Sequence, residues 1–147
     1  MLRYLSAALL IVLGASAVSA QNVAIIKERK KHYETMGKAV KEPTAMYKGE
    51  GEFDLAKVQA ALKVIQEKAA ILPKLFPDDS KTGADTEALP IIWDEKADFE
   101  GRFPKLADAA KAAEAAITDE ETFPDAWKDV VGNCSGCHKK FRKPKDK

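Results

Sequence analysis

The chain has 147 residues, 46% hydrophobic and 32% charged, with 24 basic side chains against 23 acidic ones. That balance excludes the strongly basic footprint of a nucleic-acid binder, and the length suits one domain with its own core. Plentiful alanine and charge, with only 8 glycines, lean the composition towards helix.

The first twenty residues have the layout of a secretory signal peptide. Arg3 gives a positive start, Leu5 to Val12 is an apolar run, and Val18-Ser19-Ala20 is an A-x-A-like cleavage site. The run is too short to span a bilayer, which takes about 20 apolar residues. The expected product is residues 21–147, a single domain without membrane insertion, exported to an oxidising compartment such as the periplasm. Loss of Arg3 leaves 23 basic and 23 acidic residues.

A first amphipathic helix is predicted from about 23 to 46. Ile25, Arg29, His32, Tyr33, Met36 and Val40 fall on or near one stripe, and Pro43 should bend or loosen its end. Met46 has the character of a packing residue at that end. Lys48-Gly49-Glu50-Gly51-Glu52 breaks the pattern, and Asp54 is placed to cap a second helix. There Leu55, Val58, Leu62, Ile65, Ala69 and Leu72 recur three and four apart, the spacing of a bundle seam, until Pro73 ends it. The stretch 77–90 is rich in Asp, Ser, Thr and Gly, as in a surface connection.

A third helix is predicted to begin near Trp93 or Asp94. It carries Phe99, Phe103, Leu106, Ala110, Ala113 and Ile117, with a kink expected at Pro104. Thr118-Asp119-Glu120-Glu121 matches a capping box. A fourth helix then runs to about Arg142, with Phe123, Trp127, Val130, Cys134, Cys137 and Phe141 at heptad spacing. There is no internal repeat. The expected fold class is all-α, an antiparallel four-helix bundle.

Cys134-Ser135-Gly136-Cys137-His138 is a C-x-x-C-H motif and holds the chain's only two cysteines. It is the attachment signature of haem c, one group held covalently through Cys134 and Cys137. Two thiols that add to the vinyls of one porphyrin need a short fixed spacing, and the next side chain must offer the iron an imidazole. On a helix, positions 134, 137 and 138 project from one face. A structural zinc site wants about four Cys or His ligands, and beyond the motif only His32 remains. A thioredoxin-like pair wants a βαβ setting, and a disulfide between 134 and 137 would close too small a loop to stabilise much. Two seam cysteines put the haem inside the bundle, where such sites are built.

These features resemble cytochrome c′ and its low-spin relatives, over essentially residues 22–143. Ordinary small cytochromes c carry the motif near the N-terminus. Arg29-x-x-x-Tyr33 is similar to the family's Arg-x-x-x-distal pattern, and Leu72-Pro73-Lys74-Leu75-Phe76-Pro77 to the end of its second helix. Ile92-Trp93 followed by Phe99 resembles the entry to its third helix. Cys134-x-x-Cys137-His138-x-x-Phe141-Arg142 is similar to its haem motif. Pro43 and Pro104 depart from straight helices.

The resemblance implies His138 as proximal iron ligand, Arg29 near a haem propionate, for which an Arg fork is suited, and Arg142 near the proximal face. Trp93, Phe99, Trp127 and Phe141 should be core, with one or two touching the porphyrin. It puts Tyr33 on the sixth side of the iron. A neutral phenol is a poor ligand, so an open, five-coordinate haem that binds nitric oxide or carbon monoxide is the leading expectation. The alternative is a six-coordinate electron carrier with His32 or Met36 as sixth ligand. A homodimer packed through the first two helices is implied. Lys139, Lys140, Arg142, Lys143, Lys145 and Lys147 form a solvated end or steer an acidic redox partner. No second charged group is plainly placed for proton transfer, so an enzyme is not expected.

Overall fold

A computed structural model describes the backbone of residues 3–144, with side chains from Asn22 onwards. The side chains of the expected leader, and Lys145 and Lys147 of the basic tail, lie outside the described residues. The helices are α1 (Arg3–Tyr47), α2 (Leu55–Ile71), a short α3 (Ile91–Asp94), α4 (Lys96–Ala116) and α5 (Phe123–Phe141). Among the described residues there is no strand, and no helix is long and apolar enough to cross a membrane.

The four long helices form the bundle. α2 lies between α1 and α4, and α4 packs in turn on α5, whereas α1 and α5 touch sparsely. The seam read from α2 is buried as expected: Val58, Leu62, Ile65 and Leu72 are fully inside. Asp54 caps α2, its Oδ1 accepting the Lys57 N–H at 3.1 Å. Phe99 joins the helices through its ring contacts, 4.6 Å from Phe76, 5.1 Å from Phe103 and 5.2 Å from Phe141 between centroids.

α1 ends at Tyr47, close to the expected end near 46, with Pro43 buried inside it. Several other local expectations are corrected. The Thr118–Glu121 capping box does not form. Thr122 and Asp119 instead close a turn on each other, Thr122 N–H donating to Asp119 Oδ1 at 2.9 Å. α5 starts only at Phe123, with a proline in its first turn where a missing N–H costs nothing. The third helix begins earlier than expected, as α3 after Pro90, and is interrupted at Glu95 before α4 carries on through Pro104.

The connection after α2 departs most from expectation. Leu72–Leu75 and Asp78–Ser80 are 3-10 turns, and Ser80 is fully buried rather than on the surface. Its far end pairs with the tail of α5: Leu89 N–H donates to Phe141 O at 3.0 Å, Lys143 N–H to Glu87 O at 2.8 Å, and Ala88 bridges to Arg142. The segment 78–89 is a strap between the α1 side of the bundle and the end of α5.

Candidate haem site

α5 presents Phe123, Trp127, Val130 and Phe141 to the core, and Cys134, Cys137 and His138 continue that face in half-buried positions. The two cysteines are not joined in a disulfide. Burial holds both thiols above their ordinary pKa, the neighbouring Cys137 adding to the effect at Cys134. Phe141 packs on Phe99, with the Arg102 guanidinium 5.1 Å from its ring.

Across the bundle α1 brings Ile26, Arg29 and Met36 inside, with Tyr33 packed on the same core. Burial raises the Tyr33 phenol pKa well above its ordinary value. The Cys137 thiol, which lies within its electrostatic reach, pushes the same way. Tyr33 and Cys137 are both half-buried against the same core. Met36 is 8% exposed, in the core cluster. His32 lies along its own helix, Nε2 3.9 Å from Glu28 Oε1.

Arg29 is 2% exposed, and burial lowers its pKa from the usual guanidinium value. Nη1 donates to Ser80 Oγ at 2.9 Å and Leu75 O at 3.4 Å, and Nη2 to Ser80 O at 3.1 Å and Thr86 Oγ1 at 3.0 Å. The guanidinium stacks 4.6 Å from the Phe76 ring centre and 5.8 Å from that of Trp93. Trp93 is fixed in turn by its indole N–H, which donates to Pro77 O at 3.0 Å. Every acceptor around this buried cation is neutral, and no carboxylate of the described residues lies within ion-pair distance.

Arg142 leaves the helix in extended conformation, its N–H still donating to His138 O at 3.2 Å. Its Nε is buried without a hydrogen bond and lies 3.9 Å from Glu87 Oε2. Ser80, Thr86 and Glu87 were invisible to sequence reasoning as site residues, because a polar loop residue carries no local sign of a partner some 50 positions away. An open groove of about 470 Å³ between α4 and α5, lined by Arg102, Lys105, Lys128, Gly132 and Gly136, is not the haem site. Its α5 glycines lie two residues either way from Cys134, about 200° round the helix.

The residues fit a covalent haem. Both thiols and the His138 imidazole share one helix face, an aromatic layer of Trp93, Phe76, Phe99 and Phe141 lies beside it, and α1 and α5 are only sparsely packed against each other. Arg29 is a buried positive charge with no carboxylate of the described residues within ion-pair distance. A haem carries two carboxylates.

Comparison with known proteins agrees. The Cytochrome C' family model matches residues 24–142. A cytochrome c' from Rhodopseudomonas palustris is 47% identical, covering 98% of each chain. A cytochrome c-556 from the same organism is 37% identical over 97% of each. The solved cytochrome c' of Rhodopseudomonas palustris superposes with a TM-score of 0.80 at 48% identity, covering 83% of this chain and 98% of that one. A nitric oxide complex of a variant cytochrome c prime from Alcaligenes xylosoxidans, 25% identical, gives 0.71, over 84% of this chain and 97% of that one. With two cysteines at haem-attachment spacing on the fourth long helix of such a bundle, the chain is a c-type haem protein and belongs to the cytochrome c′ family.

Proposed function

We propose that the protein is a periplasmic gas-binding cytochrome whose haem keeps its sixth position open for nitric oxide or carbon monoxide. One observation carries the reading: Tyr33 of α1 packs half-buried on the same core as Cys137, and desolvation raises its phenol pKa, so the proton stays on. A neutral phenol bonds iron poorly. Cys134 and Cys137 would hold the group through thioethers and His138 through its imidazole. The bound haem supplies an iron that takes a diatomic ligand and exchanges one electron. Tyr33 would restrict entry to the iron, and Arg29 would supply positive charge to a haem carboxylate. Arg142, just past the end of α5 and 3.9 Å from Glu87, would supply the positive group of the proximal side. The likeness to a cytochrome c prime solved with nitric oxide supports this ligand class.

Export through the 1–20 leader, a homodimer packed through α1 and α2, and binding rather than enzymatic turnover belong to the same reading. A second reading rests on Met36, which is buried one turn from Tyr33 on the same face of α1 and would make the iron six-coordinate. His32 is less well placed, on the flank beside Glu28. Three variants separate the readings. Tyr33→Ala should speed carbon monoxide association to the ferrous protein several-fold, because the space it fills becomes open, and Met36→Leu should leave the absorption spectrum unchanged. Conversion of a low-spin to a high-spin spectrum by Met36→Leu or His32→Ala would establish the electron carrier instead.

A further inference from the structure

Arg29 belongs to α1, yet α1 does not hold its guanidinium. Both terminal nitrogens are taken up by the connection after α2, through Leu75 O, the Ser80 hydroxyl, Ser80 O and the Thr86 hydroxyl. These four bonds match in number the four terminal N–H groups of an arginine. The hydroxyls are themselves oriented. Ser80 Oγ donates its proton to Pro77 O at 2.9 Å, so its lone pairs face Arg29. Thr86 Oγ1 also accepts the Ala88 N–H at 3.2 Å. Two residues beyond Thr86 the strap is pinned to the haem helix, by Leu89 N–H to Phe141 O, Lys143 N–H to Glu87 O and the Ala88–Arg142 bridge. The position of the Arg29 charge is thus referred to α5, the helix that carries the haem, and not to α1.

We infer that Ser80 and Thr86 are positioning residues that lock the Arg29 guanidinium at a fixed place relative to α5, as the counter-charge for a haem carboxylate. A surface arginine would spend rotamer freedom to make such a pair. Here the strap, the Phe76 ring and Trp93 have already removed that freedom, so the carboxylate meets a preorganised charge. A fixed cation beside a haem carboxylate keeps that carboxyl ionised to lower pH. Loss of the fixed position leaves more uncompensated negative charge near the iron, which favours the oxidised state.

The inference needs only that haem is attached, so it stands or falls independently of whether the sixth position is open. The test is potentiometry of the holoprotein as a function of pH for wild type, Ser80→Ala, Thr86→Val and Arg29→Lys, with urea unfolding alongside. Each variant should lower the midpoint potential and move its pH-dependent step upward, by about one pH unit for Arg29→Lys, which keeps the charge but cannot fork. Thr86→Ser retains the acceptor and should restore the wild-type profile. Should Ser80→Ala fold poorly, the half-exposed Thr86 pair still decides. The inference is overturned if Thr86→Val and Arg29→Lys lower only the urea midpoint while potential and pH step stay at wild-type values, since the strap would then be plain structural reinforcement.

Discussion

The two helices that face each other across the site are built on opposite principles. On α5 the chemistry is local: Cys134, Cys137 and His138 are three and four residues apart, and the geometry of one helix suffices to align them. On α1 it is borrowed. Arg29 and Tyr33 share a face, but what makes them functional lies elsewhere, in Ser80 and Thr86 for the arginine and in partial burial on the shared core for the tyrosine. Local sites are set by sequence order and tolerate distant change. Borrowed sites depend on how a remote loop folds.

The largest expected effect breaks the α5 side. Replacing Cys134 and Cys137 together with alanine should abolish covalent haem, so that colour no longer stays with the chain through denaturing electrophoresis, as it should in wild type. The next breaks the α1 side. Arg29→Met removes a buried cation and strands the Ser80 and Thr86 oxygens, and should cost about 3 kcal/mol in urea unfolding, while the haem remains attached. Loss of haem in Arg29→Met with stability unchanged would reverse the roles assigned to the two helices.

The Tyr33 side of the comparison can be sharpened with pH. Its folded-state pKa is raised, mainly by desolvation. Its contribution is therefore fully present below the unfolded tyrosine value near 10 and is lost as pH rises above it, at up to about 1.4 kcal/mol per pH unit. Tyr33→Phe should remove that part of the alkaline decline, and identical alkaline profiles for the two proteins would contradict the desolvation of the half-buried phenol. Smallest is a control distant from both faces: Asp54→Ala should cost about 1 kcal/mol through loss of the α2 cap, with the haem spectrum unchanged.

The same division explains what could be read before the fold was known. The α2 seam, the Asp54 cap and the C-x-x-C-H face are regularities within one helix, and periodicity exposes them. The 78–89 strap resisted because Ser80 and Thr86 have the composition of a solvated loop, and only tertiary structure reveals the buried guanidinium that they bind. Thr118–Glu121 misled for a related reason. The capping pattern was present, but Pro124 favours a start at Phe123, and Asp119 turns its carboxylate to Thr122. α5 ends at Phe141, close to the expected end near Arg142, and Arg142 is extended where it bridges to Ala88.

The most direct test of the account is the absorption spectrum of the purified holoprotein at neutral pH, oxidised and reduced, before and after carbon monoxide. An open site opposite a protonated Tyr33 predicts high-spin, five-coordinate iron in both oxidation states and a ferrous form that takes up carbon monoxide. A low-spin spectrum in both states, with a ferrous form that refuses carbon monoxide, would contradict it and make the protein an electron carrier with a side chain on the sixth position.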